Sequence, residues 1–408
     1  MSANWSPVTI AGVGVISAIG NNTAECLSSF EKGQAGMDQV AYLDTTHDEL
    51  PVAEVKLNNA RLAERAGLST PASHIPARIP SRTALLSLIA AKEALDDACI
   101  PDIAALRTGF VSANTVGGMD KTENFFPDFL RNPGNGRLRE VVQHECGHIT
   151  SWVADRLGLR HYQTTISTAC SSGANAIFFG ARLIRHGILD VVVAGGTDAL
   201  TKFTLNGFNA LMILDPDDCK PFDNERKGLN LGEGAGYLVL VSDRVAATLP
   251  ATRCTLSGYC NANDAWHQTA SSPDGRGSWL AMKGALERSG LQPADIDYIN
   301  LHGTGTQNND LAEGTAIRRL FDPAYPPMSS TKSFTGHTLG ASGGIEAVFS
   351  VLAIRHGLVY PNIRFKTPMA ELPFTPETRF LKEQPIRHVM SNSFGFGGNC
   401  SSLIFSKQ

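Results

Sequence analysis

One cysteine lies in a short run of small residues that could activate it as a nucleophile. The run is TACSSG at residues 168–173, between a short β-branched run and a helical pattern. A cysteine on such a turn occupies a helix N-terminus, where the partial positive charge favours the thiolate and lowers the thiol pKa. The small neighbours permit a sharp turn and a close approach by substrate. Cys170 is therefore our candidate for covalent catalysis.

Two histidines occupy glycine-rich loops that follow predicted strands. His302 opens the sequence HGTGT at 302–306, and His337 lies in STKSFTGHTLGASG at 330–343. Side chains at the carboxyl ends of parallel strands point into the crevice where such folds bind ligands. We therefore expect both imidazoles to face one site.

The same region holds a lysine, a carboxylate and a third glycine-rich loop. Lys332 precedes His337, and Glu346 in the following helical pattern could neutralise it. The glycines of NSFGFGG at 392–398 free backbone N–H groups to bind an anion. A thiolate, two neutral imidazoles and such N–H groups suit a thioester reaction with a carbanion. The cysteine takes the acyl group, the imidazoles hydrogen bond to an enolate oxygen, and the N–H groups hold the tetrahedral oxyanion.

A zinc site is the alternative for one short segment. The sequence from His144 to His148 is HECGH, which satisfies the zinc-protease pattern H-E-x-x-H. Gly147 weakens the helix that must present both ligands, and no third ligand is obvious. We therefore expect no metal here and regard the other histidines as structural or solvated.

The elements that must position these residues follow from the hydrophobic pattern. Residues 35–80 are predicted to be irregular. Strands are predicted at 8–13, 109–113, 164–167, 191–194, 237–241, 254–259, 298–301, 328–331, 389–391 and 403–405. Helices are predicted at 23–30, 82–98, 171–186, 279–289, 311–320 and 342–356. This alternation predicts an α/β protein with parallel sheets covered on both faces, and its repetition from about residue 254 predicts two similar halves.

Composition excludes several classes of protein. The 408 residues suit two or three domains, or two fused halves, and a net charge of -4 argues against nucleic acid as the main partner. The sequence contains no run of about 18 apolar residues, so no membrane span is expected. The first residues do not resemble a secretory signal. The 8 cysteines are scattered without a CxxC pair, which favours reduced thiols in the cytosol over a disulfide scaffold.

The four motifs, in this order and spacing, closely resemble those of elongating β-ketoacyl-acyl-carrier-protein synthases of type I/II. The resemblance runs over essentially the whole chain. It implies a thiolase-like fold of two pseudo-symmetric halves, 1–250 and 251–408, stacked in five α-β-α-β-α layers within a dimer. It also implies decarboxylative condensation of a Cys170-bound acyl group with malonyl-acyl-carrier protein, giving 3-oxoacyl-acyl-carrier protein. No cofactor is expected, because phosphopantetheine arrives on the carrier protein.

Residue roles carry over from the family motif by motif. Cys170 matches the nucleophile, and His302 and His337 match the pair that supports decarboxylation of malonyl thioester. The resemblance also implies that Lys332 lies beside this pair with Glu346 as its ion-pair partner, and that Asp310 and Glu313 are supporting acidic residues. Phe396 matches the gating residue, whose N–H forms an oxyanion hole with the N–H of Cys170. Thr304 and Thr306 match the threonines that bind the phosphopantetheine arm, and Val116 matches the residue that limits the acyl pocket.

Two departures and two alternatives accompany this interpretation. Asn399-Cys400 follows GFGG where the family commonly has Thr-Asn, which puts the hydrogen bonding of that loop in question. Residues 40–60 resemble synthases of bacterial aryl-polyene and related pigment clusters, which would pair with a chain-length-factor-like homologue. The alternatives are a coenzyme A-dependent thiolase, with Cys400 as second cysteine, and a non-catalytic chain-length-factor subunit. The presence of Cys170 with both histidines favours the synthase.

Docking of an acidic carrier protein requires a local basic patch, because the net charge of the chain is -4. Arg78 and Arg82, around the start of the predicted helix 82–98, are the candidates by loose positional resemblance.

Overall fold

The computed structural model describes residues 6–68, 79–250 and 254–408, so Arg78 lies outside the described residues. The strands in the described residues are β1 (Val8–Ser17), β2 (Thr108–Ala113), β3 (Tyr162–Ile166), β4 (Val191–Asp198), β5 (Gly234–Val241), β6 (Cys254–Asn263), β7 (Tyr298–Asn300), β8 (Met328–Ser329), β9 (His388–Phe394) and β10 (Asn399–Lys407). Each predicted strand is present, and several extend further than the pattern predicted.

The helices include every predicted one. They are α1 (Thr23–Lys32), α2 (Asn59–Arg65), α3 (Arg82–Ala98), α4 (Met119–Arg131), α5 (Cys146–Leu157), α6 (Ser172–Arg185), α7 (Lys202–Ala210), α8 (Asp243–Ala246), α9 (Arg276–Ser289), α10 (Gln307–Phe321), α11 (Lys332–Thr335) and α12 (Ser342–His356). The sequence patterns did not predict α2, α4, α5, α7, α8 or α11, and α2 lies within residues 35–80, which were predicted to be irregular. Helix α4 contains Pro127, a residue that normally argues against a helix interior.

The strand order repeats between the two parts of the chain. The strands hydrogen bond in the order β3-β2-β4-β5-β1-β6-β10-β9-β7-β8. Counted outward from the centre, the order is β1, β5, β4, β2, β3 on one side and β6, β10, β9, β7, β8 on the other. Each strand of the second group therefore corresponds to the strand numbered five lower in the first. The two groups meet through three residue pairs between β1 and β6. The proposed boundary between residues 250 and 251 stays a prediction, since residues 251–253 are not described.

The prediction of parallel sheets was wrong for five of the nine strand pairs in the described residues. Only β2 with β3 and β4, and β7 with β8 and β9, pair in parallel. The inner strands β5, β1, β6 and β10 pair antiparallel with their neighbours. An antiparallel pair can be joined by a tight connection, whereas a parallel pair needs a crossover. Strands β9 and β10 are joined by such a tight connection, residues 395–398.

The layers match the predicted α-β-α-β-α stack. Helix α3 packs on β1, β5 and β4 from one outer face, and α9 packs on β6 and β10 with α10 beside it. Helices α6 and α12 pack against each other between the two groups of strands. Residues Ser342 to Ile354 of α12 are all buried, as expected of a helix in the middle layer.

Two glycines allow the middle helices to touch. A Cβ atom on Gly173 would lie 2.5 Å from the backbone nitrogen of Gly344, which is closer than real atoms approach. The first turns of α6 and α12 therefore meet backbone to backbone. Cys170 immediately precedes α6 and His337 precedes α12, so this contact brings residues from both halves to one place.

Arg82 is not a docking residue. Its guanidinium is buried and forms an ion pair with the fully buried carboxylate of Glu233, and it also donates to the Val55 and Leu57 carbonyl oxygens. Arg82 therefore joins α3, β5 and the 55–57 segment from inside the protein, where no carrier protein could reach it. In the described part of the chain, no helix is both long and apolar enough to cross a membrane.

Candidate active site

The turn that carries Cys170 is strained in the way the sequence predicted. Ala169 has a φ of 52°, a left-handed conformation that is uncommon for a residue with a side chain. The hydroxyl of Ser172 stabilises the turn with two hydrogen bonds. Its Oγ accepts from the Thr168 N–H at 2.7 Å and donates to the Ala169 carbonyl at 2.6 Å. Cys170 is thereby fixed at the start of α6 and is 6% exposed.

The expected fall in the Cys170 pKa was wrong. Burial raises the pKa of its thiol to about 11, and Glu346 also raises it. The positive charge of Lys332 and the backbone N–H groups of Phe396 and Cys170 oppose this rise. The helix N-terminus does not compensate for removing a thiolate from water. The resting side chain of Cys170 is thus a thiol whose surroundings already contain groups that stabilise negative charge.

The two histidines form a pair above this thiol. The imidazole rings of His302 and His337 lie 5.5 Å apart between centroids and at 90° to each other. Nδ1 of His337 accepts from the Leu339 N–H at 3.0 Å, and Nδ1 of His302 lies 3.3 Å from the ammonium of Lys332. An ammonium can only donate, so both Nδ1 atoms act as acceptors. Each neutral ring therefore carries its proton on Nε2, where it can be donated to a substrate oxygen.

Burial keeps both imidazoles neutral. The pKa of His302 falls well below its ordinary value because of burial, the charge of Lys332 and the neighbouring His337. Burial and Lys332 likewise lower the pKa of His337. Neither ring will gain a proton in the range where a solvated histidine does, so both remain hydrogen-bond donors in mildly acidic solution.

Lys332 and Glu346 form a buried ion pair. Their charged groups are in direct hydrogen-bond contact, and the two side chains are 1% and 3% exposed. Burial raises the pKa of Glu346 to about 7, against the opposing charge of Lys332. The carboxylate holds Lys332 in place beside His302, as the family resemblance implied.

The acidic residues Asp310 and Glu313 shape the loop that carries His302. The carboxylate of Glu313 accepts from the backbone N–H groups of His302 at 2.9 Å and Gly303 at 2.8 Å. Asp310 accepts from the Gly305 N–H at 3.2 Å. Burial raises the pKa of Glu313 to about 7. Both carboxylates thus bind backbone N–H groups of the His302 loop, and neither side chain lines the cleft.

A cleft of about 310 Å³ opens over these groups. Its walls include most of the predicted site residues, namely Cys170, His302, His337, Thr304, Thr306 and Phe396. The ring of Phe396 stacks on Phe208 of α7, with centroids 5.8 Å apart. Val116 does not line this cleft. It lies in an apolar cluster with Leu205, Leu229 and Leu339, and Leu339 is in the loop of His337.

The structure does not support the zinc alternative. His144 ends a 3₁₀ segment and His148 lies in α5, so one helix does not present both rings. His144 Nδ1 instead contacts the Thr122 hydroxyl at 2.9 Å. Among residues 6–68, 79–250 and 254–408, no group of three or more His, Cys, Asp or Glu side chains could hold a metal ion.

Sequence analysis missed one buried carboxylate that joins two loops of the site. Asp198, at the end of β4, accepts from the N–H groups of Thr115 and Val116 at 2.8 and 3.1 Å. It also accepts from the Gly340 N–H at 2.7 Å. Burial raises its pKa to about 6. The only sequence signal is an aspartate directly after a buried strand that contains two glycines, Gly195 and Gly196.

Comparison with known proteins places the chain in a family. Residues 6–246 match the family described as "Beta-ketoacyl synthase, N-terminal domain", and residues 253–366 match "Beta-ketoacyl synthase, C-terminal domain". The chain therefore belongs to the β-ketoacyl synthase family, and the predicted thiolase-like fold is confirmed.

Relatives of known name extend this result. A 3-oxoacyl-[acyl-carrier-protein] synthase 2 of Staphylococcus aureus (strain N315) is 35% identical over 413 residues, covering 98% of each chain. The solved ishigamide ketosynthase/chain length factor is 29% identical with a TM-score of 0.90, covering 98% of each chain. The ketosynthase ApeO in complex with its chain length factor ApeC, from Xenorhabdus doucetiae, is 31% identical with a TM-score of 0.83 over 100% of both chains.

These matches confirm the predicted class of enzyme. The protein is a condensing acyltransferase of the β-ketoacyl-acyl-carrier-protein synthase type. The thiolase alternative finds no support among them.

The raised pKa of Cys170 predicts how the thiol reacts with pH. Alkylation by iodoacetamide follows the thiolate fraction, so its rate should rise about tenfold per pH unit from pH 7 toward a pKa near 11. Lys332→Met removes a charge that lowers this pKa and should slow alkylation at pH 8. Glu346→Gln removes a charge that raises the pKa and should speed alkylation at that pH. Mass spectrometry of the Cys170 peptide measures each rate.

The opposite signs of the two variants provide the control, since both disrupt the same ion pair. A plateau of the wild-type rate between pH 7 and pH 8 would show a low thiol pKa and contradict this account.

Proposed function

We propose that Cys170 carries the growing acyl chain as a thioester and that His302 and His337 activate a malonyl group for attack on it. The observation that carries this proposal is that all three side chains line one cleft. Both imidazoles there have Nδ1 as an acceptor, which leaves Nε2–H for the substrate.

The first half-reaction is thioester exchange. The sulfur of Cys170 attacks the acyl carbonyl of an acyl-carrier protein, and the carrier thiol leaves with the proton that the cysteine loses. The N–H groups of Phe396 and Cys170, which now contact the sulfur, are the donors for the oxyanion of this step. Thr304 and Thr306, whose hydroxyls lie 2.9 Å apart in the cleft wall, would hold the phosphopantetheine arm.

The second half-reaction forms the new carbon–carbon bond. The malonyl thioester loses CO₂, and the resulting enolate oxygen accepts hydrogen bonds from Nε2 of His302 and of His337. The enolate carbon then attacks the acyl carbonyl on Cys170, and the cysteine leaves and regains a proton. The charge of Lys332 supports this step, because it adds to burial in keeping both histidines as neutral donors.

Single substitutions should separate the two half-reactions. Cys170→Ala removes the nucleophile and should abolish acylation and condensation. His302→Ala removes an enolate donor and should slow malonyl decarboxylation by about 10²-fold or more, while Cys170 is still acylated. Release of CO₂ measures decarboxylation, and the intact mass of the protein measures acylation.

His144→Ala, outside the cleft, serves as the control and should leave both half-reactions unchanged. If His302→Ala lost acylation but retained decarboxylation, the proposed roles of the two groups would be reversed.

The acyl chain is proposed to extend toward Val116. This residue is buried in an apolar cluster with Leu339, two residues beyond His337, so a chain attached to Cys170 could continue into it. Valine is smaller than the isoleucine often found at this position in the family. We therefore propose a pocket at least as deep as those of such relatives.

Val116→Phe should shorten the accepted chain. Overpacking is a local effect, so the variant should block medium and long primers but accept a two-carbon primer. Val116→Ile adds one methylene, worth roughly 1 kcal/mol of lost chain burial, and should cause a smaller shift in the same direction. Acylation of Cys170 is measured with primers of increasing length. Equal loss of short and long primers would show that Val116 is not at the end of the pocket.

The partners are proposed to be an acyl carrier protein and a chain-length-factor-like homologue. Support comes from the two similar ketosynthases whose structures include a chain length factor. Helix α4 and the neighbouring segment Leu138–His144 also expose large apolar side chains. These are Phe126, Phe129, Leu130, Leu138 and Val142, with Leu138 71% exposed. A patch of this kind marks a protein interface.

A charge on this apolar face should break the heterodimer. Leu130→Asp combined with Leu138→Asp should abolish co-purification with a co-expressed chain-length-factor-like homologue, because it buries unpaired charges. Ile188→Asp, at a 50% exposed position outside this face, is the matched control. Native mass spectrometry measures the assembly. A homodimer that excludes the homologue would contradict the proposed partner.

A further inference from the structure

The side chain of Asn399 is the centre of a hydrogen-bond network beside the nucleophile. Three side chains donate to its Oδ1 atom. The donors are Ser171 Oγ at 2.7 Å, Asn175 Nδ2 at 2.9 Å and Asn261 Nδ2 at 2.7 Å. Ser171 directly follows Cys170, and Asn175 lies one turn further along α6. One carbonyl oxygen from β10 is thereby bonded to the turn and the helix that carry the nucleophile.

Asn399 also closes the loop that carries Phe396. Its backbone carbonyl accepts from the Gly395 N–H at 2.8 Å, at the other end of the four-residue connection between β9 and β10. At Gly395, a Cβ atom would lie 3.1 Å from the nitrogen of Cys170, so the loop backbone rests on the nucleophile turn. The side chain and the backbone of one residue therefore fix the loop relative to that turn.

The tip of this loop is bonded to a different segment from its ends. Gly397 and Gly398 both have left-handed φ angles, 77° and 79°, which glycine adopts without strain. The Gly397 N–H donates to the Gln268 carbonyl at 2.7 Å, and the Gly398 carbonyl accepts from the Asp264 N–H at 2.8 Å. These bonds hold the tip to residues 264–268 and do not reach the Cys170 turn, so the position of the Phe396 N–H relative to the Cys170 sulfur depends on the contacts at the ends of the loop.

We propose that Asn399 is a positioning residue that holds the Phe396 N–H in register with Cys170, so that the two N–H groups act together on the oxyanion of acyl transfer. The inference rests on the proposed roles of Cys170 and Phe396. An asparagine suits this task because its carboxamide oxygen reaches three donors on two elements. Asn399, which stands where the family commonly has Thr, thus supplies the hydrogen bonds of this loop.

Asn399→Ala should impair acyl transfer selectively. The variant loses all three side-chain contacts but keeps Phe396 itself, so we expect the rate of Cys170 acylation at saturating acyl carrier to fall about 10- to 100-fold, below the loss caused by deleting an oxyanion donor outright. The KM for the acyl carrier should change less than threefold. Malonyl decarboxylation, which uses the two histidines, should stay within threefold of wild type and shows that the variant is folded.

Two further variants make the test specific. Ser401→Ala breaks bonds to Asn175 and Asn261 in the same network without touching Asn399, and it should acylate at the wild-type rate. Asn261→Ala removes one donor to Asn399 from outside the Cys170 turn and should slow acylation in part. The double variant with Asn399→Ala should be no slower than Asn399→Ala alone, because coupled residues are not additive.

The outcomes separate this inference from the proposed function. Wild-type acylation in Asn399→Ala, with Cys170→Ala inactive, overturns the positioning role and leaves the nucleophile assignment intact. Equal loss of acylation and decarboxylation shows a general structural role and also overturns it. Failure of the wild-type protein to acylate Cys170 would instead reject the proposed function.

Discussion

The backbone contact between α6 and α12 is the constraint on which the site depends. It requires glycine on both sides, because a Cβ at Gly173 would lie 2.5 Å from the Gly344 nitrogen and a Cβ at Gly343 would lie 2.6 Å from the Ala174 nitrogen. The nucleophile turn precedes one helix and the His337 loop precedes the other. Two parts of the chain that are far apart in sequence thus meet at one cleft, and a larger residue at the contact would separate them.

A buried positive charge organises the electrostatics of the cleft. Lys332 lies beside His302 and is neutralised by Glu346. A buried ion is costly unless it is paired and hydrogen bonded, so the carboxylate is needed for the ammonium to remain there. The same charge disfavours protonation of both histidines and favours a thiolate at Cys170. The ammonium of Lys332 therefore favours neutral imidazoles and a thiolate, whereas Glu346 and burial favour the thiol at Cys170.

The antiparallel inner strands have a direct consequence for the oxyanion site. Because β9 and β10 are antiparallel neighbours, a connection of four residues suffices between them. That connection lies against the nucleophile turn and brings the Phe396 N–H to the sulfur. A parallel pair would need a long crossover, and the same N–H could not be held by contacts at both ends of so short a loop.

Local patterns in the sequence were enough to find three of the side chains that line the cleft. Cys170, His302 and His337 stand in loops between a strand and a helix, and residue type and loop position depend only on neighbours in the chain. The strand and helix pattern and the order of the motifs likewise predicted the layered fold and the family, both of which are confirmed. Helices such as α4, with Pro127 inside, were missed because tertiary contacts can stabilise a segment whose local signals oppose a helix.

Other properties depend on partners that lie far away in the sequence, and only the tertiary structure decided them. Arg82 looked like a surface cation, but it is buried against Glu233, 151 residues away. The Cys170 pKa rises instead of falling, because the burial of the turn outweighs the helix N-terminus. The roles of the ring nitrogens of His302 follow from an ammonium 30 residues later. Sequence patterns show which groups are present, whereas burial and the charges that surround each group are properties of the folded chain.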